Sequence, residues 1–152
     1  MGELSVGKKT SELKRLVSSL QELKANIPKA LNTGSFIETC DSSGAKLIRV
    51  VSIIGSKTVE GKKPACGIAD LVLASVRKGT PDMRKQVVYA VIARQKKEFR
   101  RPNGIRVKFE DNAAIVLKDE KGNPKGTLLK GPIPKEVCSR WPAIAKIASV
   151  VV

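Results

Sequence analysis

Histidine is absent from all 152 residues. Its absence removes the side chain that titrates nearest neutral pH, the commonest general base and the usual nitrogen ligand for a metal. Cysteine is scarce and odd in number. Cys40, Cys66 and Cys138 stand far apart, in neither the paired framework of a secreted disulfide fold nor a zinc-ligand spacing such as C-x-x-C, so they read as buried, reduced thiols. The glycines form no G-x-x-x-x-G-K-[ST] or G-x-G-x-x-G phosphate loop, and Glu110 with Asp111 reads as a strand end, not a paired acid and base. The chain is therefore expected to be no enzyme and to need no cofactor or metal.

Long apolar runs are missing as well: nothing approaches the span of a transmembrane helix, and the first residues, MGELSVGKKTSELK, hold no apolar signal-peptide core. A soluble, cytoplasmic protein without membrane association is expected. Aromatics amount to Phe36, Tyr89, Phe99, Phe109 and Trp141. So few rings cannot build the stacking platform of a single-strand binder, so contacts to phosphate and to shape should dominate any nucleic-acid interface. Acids are the remaining shortage, with 14 Asp and Glu against 29 Lys and Arg, a net charge of +15.

What is present in quantity is basic charge, and it is unevenly spread. Residues 77–108 carry Arg77, Lys78, Arg84, Lys85, Arg94, Lys96, Lys97, Arg100, Arg101, Arg106 and Lys108 against only Asp82 and Glu98. A merely solvated surface mixes signs, because like charges repel and cost stability; a segment that accepts such repulsion is expected to meet a polyanion. Nucleic acid is the expected partner. Lys46 and Arg49, in a neighbouring run, complete the candidate set.

Residues 10–26 read as an amphipathic helix, with Leu13, Leu16, Val17, Leu20 and Leu23 at helical spacing and Pro28 discouraging continuation. The division expected is an N-terminal extension, 1–31, followed by one domain, 32–152. In that domain the texture turns to short β-rich runs between turn residues, at 36–40, 47–54, 68–76, 87–93, 105–109 and 113–117, which suggests an antiparallel barrel or sandwich. Asp41-Ser42-Ser43-Gly44 should form a hairpin turn. Ile105, Val107 and Phe109 alternate with Arg106, Lys108 and Glu110, so this run reads as a strand with one packed and one basic face. The preceding Lys96-Lys97-Glu98-Phe99-Arg100-Arg101-Pro102-Asn103-Gly104 reads as a basic loop whose charges converge with those of the strand on one patch. Pro134 and Pro142 suit the first turns of two short helices expected to close one end of the barrel.

Several separated motifs resemble one family in the right order. They are Asp41-Ser42-Ser43-Gly44-Ala45-Lys46, Gly67-Ile68-Ala69-Asp70, Ala90-Val91-Ile92-Ala93-Arg94-Gln95-Lys96-Lys97, Arg100-Arg101-Pro102-Asn103-Gly104, Phe109-Glu110-Asp111-Asn112-Ala113-Ala114 and Gly131-Pro132-Ile133-Pro134-Lys135-Glu136. From about Asn32 onward the chain resembles the universal large-subunit ribosomal protein numbered fourteen. Lys78-Gly79-Thr80-Pro81-Asp82-Met83-Arg84-Lys85 and Arg140-Trp141-Pro142 look closer to archaeal and eukaryotic members than to bacterial ones.

The resemblance implies a mainly β fold, a small five-stranded antiparallel β-barrel with short C-terminal helices; the N-terminal amphipathic helix would be an addition to it. It implies a structural constituent of the large ribosomal subunit that binds large-subunit rRNA, bridges to small-subunit rRNA, touches neighbouring ribosomal proteins and docks the anti-association factor, initiation factor six. By position the docking surface of bacterial members corresponds to Thr127, Lys146 and Ser149, although Leu128 stands where those members tend to have Arg. The residues taken alone leave a second reading open, a free-standing RNA-binding barrel acting as a translation factor or RNA chaperone.

Overall fold

The computed structural model describes residues 25–56 and 58–152. The amphipathic helix expected at 10–26 lies outside the described residues except for its last two, and these are not helical: Asn26 exchanges backbone hydrogen bonds with Arg100, at 3.0 and 3.3 Å.

Five strands close a barrel. They are β2 (Phe36–Thr39), β3 (Ala45–Ile53), β5 (Leu71–Gly79), β6 (Val87–Arg94) and β9 (Ala113–Leu117), hydrogen-bonded in that order. Four of the five seams are antiparallel, as expected, whereas β9 meets β2 in parallel with Glu38 opposite Ala113 and Thr39 opposite Ala114. Two small pairs lie outside the barrel, β1 (Leu31–Asn32) with β4 (Ala65–Cys66) and β7 (Phe99–Arg100) with β8 (Arg106–Val107). Thus five of the six β-rich runs are barrel strands. The sixth, at 105–109, is not the long amphipathic strand its alternation predicts: only Arg106 and Val107 pair, and Ile105 is exposed while Val107 and Phe109 pack.

Alternation sorts the side chains between two cores. Ile37, Ile48, Val50, Val72, Ala74, Val88, Ala90, Ile92, Ala114 and Val116 fill the barrel, and the opposite faces of β6 and β9 present Val91, Ala93, Ile115 and Leu117 to a second apolar cluster outside it. That cluster is covered by Leu129, Ile133 and the helices α1 (Lys135–Arg140) and α2 (Pro142–Ala145), through Val137, Trp141 and Ile144. Burial on both faces explains why β6 and β9 read as unbroken apolar runs. The C-terminal helices therefore cover a wall of the barrel and do not plug its end. The Trp141 indole N–H fixes them by donating to the carbonyl of Ala69 at 2.9 Å.

Gly79 shows how tightly the β2–β3 turn meets the end of β5. A Cβ there would lie 2.5 Å from the carbonyl oxygen of Gly44, and its φ of +156° lies at the edge of the region that side chains avoid. The turn itself forms as expected, but its side chains bond across the fold. The Asp41 carboxylate accepts the backbone N–H of Val116, and Ser42 Oγ accepts those of Thr127 and Leu128.

Candidate nucleic-acid interface

The basic residues divide by what already holds them. Arg94, at the end of β6, is buried, donating through Nε and Nη2 to the two carboxylate oxygens of Asp111 at 2.8 and 2.7 Å and through Nη1 to the carbonyls of Lys130 and Pro132. Arg101 donates to both oxygens of Glu136 on α1 and to the carbonyl of Val152. Its guanidinium also lies over the Phe99 ring, 5.8 Å from the centroid. Both arginines were expected to face RNA; in the fold all three nitrogens of Arg94 and the Nε and Nη2 of Arg101 bond internal carboxylates and carbonyls, which ties the C-terminal segment to the barrel. Arg106 is exposed but paired with Glu98 at 2.7 Å, which weakens its claim on a phosphate.

The other candidates, Lys46, Arg49, Arg77, Lys78, Arg84, Lys85, Lys96, Lys97, Arg100 and Lys108, are exposed and make no ion pair among the described residues. Nine of them form two groups, and Arg49 stands apart in the middle of β3, opposite Phe36 and Ser75. Lys46 begins β3 beside the end of β5, where Ala45 stands opposite Gly79 and Leu47 opposite Lys78, so Lys46, Arg77 and Lys78 share one end of the barrel. Arg84 and Lys85 join them on the loop between β5 and β6. That loop is anchored by Met83, whose buried side chain enters the barrel core.

Lys96, Lys97, Arg100 and Lys108 form the second group, after β6 and on the β7–β8 hairpin. Eight residues of β6 separate the groups, about 26 Å along the strand at 3.3 Å per residue. The single patch expected between residues 94 and 108 is thus one of two basic areas. Lys125 belongs with the first area, since its Nζ lies 3.0 Å from the Met83 sulfur. Sequence reading missed it because it stands alone among neutral residues, and only the fold carries it to the cluster.

The electrostatics at Arg94 follow from its fork on Asp111. That hydrogen-bonded guanidinium holds the Asp111 carboxyl below its ordinary value of 3.8, against a smaller opposing effect of burial. Asp41 shifts the other way, because burial raises it more than its hydrogen bonds lower it. Both carboxylates accept hydrogen bonds within the fold, and among the described residues no group of three His, Cys, Asp or Glu is placed to hold a metal ion. The arrangement is suited to holding a polyanion.

Thr127, Lys146 and Ser149 are all exposed. Thr127 lies beside the β2–β3 turn, its N–H on Ser42, whereas Lys146 caps the end of α2 and Ser149 follows it.

Residues 30–152 match the family model described as ribosomal protein L14p/L23e. The chain is 52% identical over 129 residues to the large ribosomal subunit protein uL14 of Methanothrix thermoacetophila, covering 85% of this chain and 97% of that one. It is 48% identical over 133 residues to the protein of the same name from Nanoarchaeum equitans, covering 88% of this chain and all of the relative. A third such protein, from Methanocorpusculum labreanum, is 46% identical over 133 residues with the same coverage.

Proposed function

This chain belongs to the ribosomal protein L14p/L23e family and is a non-catalytic, rRNA-binding structural component of the large ribosomal subunit, and we propose that it grips rRNA with its two basic areas at once. The observation that carries this reading is the division of the cations. Ten candidate side chains stand exposed without an acidic partner among the described residues, while the two most embedded arginines of the same segment are spent on internal carboxylates. Exposed, unpaired cations release counterions when they meet phosphates, which makes binding strongly salt-dependent. Arg84, Lys85, Lys78 and Lys46 would hold one stretch of backbone, and Lys96, Lys97, Arg100 and Lys108 another.

The family's partners are rRNA and other ribosomal proteins. Bridging to small-subunit rRNA and docking of initiation factor six are finer readings. Both rest on the family resemblance; Thr127 beside the β2–β3 turn, and Lys146 and Ser149 at the end of α2, are all exposed, which leaves room for a partner at either place. Residues 1–31 are read as an extension to the barrel domain at 32–152.

The test is binding to a large-subunit rRNA fragment measured against salt. Replacing Lys96, Lys97 and Arg100 together with Ala, or Arg84 and Lys85 together, should each lower the slope of log affinity against log salt by about 0.7 to 0.9 for every phosphate that is no longer neutralised. A slope unchanged by both sets would overturn the assignment.

A further inference from the structure

The parallel seam between β2 and β9 has a chemical consequence on the outer wall. Because Glu38 stands opposite Ala113, the residues just before β9 run alongside β2 and leave a cleft of about 230 Å³ between them. Phe36 and Glu38 line it from β2, Lys96 from the segment after β6, and Glu110, Asp111 and Asn112 from the loop into β9. Phe36 is 59% exposed, an apolar ring left in water. Asn112 Oδ1 accepts the backbone N–H of Lys96 at 2.8 Å, which fixes the two sides of the loop to each other. Asp111 is committed to Arg94, so Glu38 and Glu110 are the free acceptors among the described residues of the cleft.

A cleft lined by carboxylates repels phosphate, although the chain as a whole carries +15. What suits it is a flat, uncharged group with hydrogen-bond donors on its edge. Nucleobases have that form when unstacked from a loop or bulge, and proteins then stack them on aromatic rings and bond their Watson–Crick edges. Among the four, guanine presents two adjacent donors there, N1–H and N2–H2, matched to the two oxygens of one carboxylate, which only accepts. Two cations stand close enough to meet flanking phosphates, Lys96 in the lining of the cleft and Arg49 directly opposite Phe36 in the β2–β3 register.

We propose that this cleft takes one unstacked guanine of the bound RNA, its ring on Phe36 and its edge on Glu38. The proposal rests on the rRNA-binding reading and adds to it a point of base recognition that phosphate contacts cannot supply.

The full-length chain would be titrated with an RNA hairpin whose loop is uridine except for one central position, occupied in turn by guanosine, inosine, adenosine or uridine. Guanosine should bind about tenfold tighter than uridine. Inosine, which lacks the N2 amino group, should fall between them. Phe36→Ala and Glu38→Gln, both at exposed positions, should each level the four loops while leaving the melting temperature and the salt slope unchanged. Equal affinity for all four loops with the salt slope intact would overturn the guanine site and leave the phosphate grip standing. Salt-independent or absent binding of every hairpin would overturn both. Glu38-dependent capture of an arginine-rich peptide, with no preference among loops, would assign the cleft to a protein side chain and also overturn the proposal.

Discussion

The Arg94 guanidinium lies fork to fork on the Asp111 carboxylate, and its remaining donors reach the carbonyls of Lys130 and Pro132. One side chain thus joins the end of β6, the loop before β9 and the start of the C-terminal segment. A lysine has the charge but neither the planar fork nor the reach to two further carbonyls. Arg94→Lys should therefore lower stability by about 2 to 3 kcal/mol, at or below the lower limit for breaking a fully buried pair because Asp111 is partly exposed and the lysine keeps the charge. Urea denaturation would measure it, and the salt slope of RNA binding should not move.

Arg101 and Glu136 form the second internal clamp, with side chains 10% and 5% exposed. Arg101→Ala would leave the Glu136 carboxylate buried and unpaired, at a cost of about 3 kcal/mol. Adding Glu136→Gln to that variant should restore part of the loss, since the amide carries no charge to bury. Recovery in the double variant, read from urea midpoints, separates burial of an unpaired charge from loss of packing on Phe99.

Acid should weaken the fold through Asp111. Its folded-state pKa lies below 3.8, so the stabilisation it contributes is complete above 3.8 and is lost as the pH falls through the lower folded value. Asp41, raised by burial, has the opposite sign: the folded state gains relative to the unfolded as the pH falls through its raised value. Asp111→Asn should flatten the decline of stability below pH 3.8, as followed by thermal melting across that range. A decline as steep as in the unaltered protein would refute the assignment to this pair.

Burial pushes the Cys40 thiol up to about 11 and the Cys66 thiol up to about 12, so neither forms appreciable thiolate near neutral pH. Cys138 is only half-buried, and its thiol is raised less far. Under native conditions iodoacetamide should modify Cys138 first and leave Cys40 and Cys66 intact until urea unfolds the chain. Mass spectrometry of the alkylated peptides would show the order.

Much of the barrel was legible because its causes are local. The Asp41–Gly44 turn carries its own left-handed glycine, and the strand runs carry apolar residues at the spacing that buries them. The strand expected at 105–109 failed for the opposite reason. Its alternation is as regular as any in the chain, but a strand needs a partner along its length, and β7 supplies only Phe99 and Arg100. The last forty residues read as two helices, yet nothing in their own pattern said which surface they would cover. That surface is the outer face of β6 and β9, apolar on both sides.

Read alone, the residues pointed to a polyanion partner, showed that histidine is absent and carried the motifs of the family, because charge, composition and motif order do not depend on where the chain goes. Which cations can meet RNA emerged only on folding. Arg94 and Arg101 look in sequence like their basic neighbours, but their partners, Asp111 and Glu136, lie 17 and 35 residues away and are brought to them by the fold. A charge is a property of one residue; its availability is a property of every group packed against it.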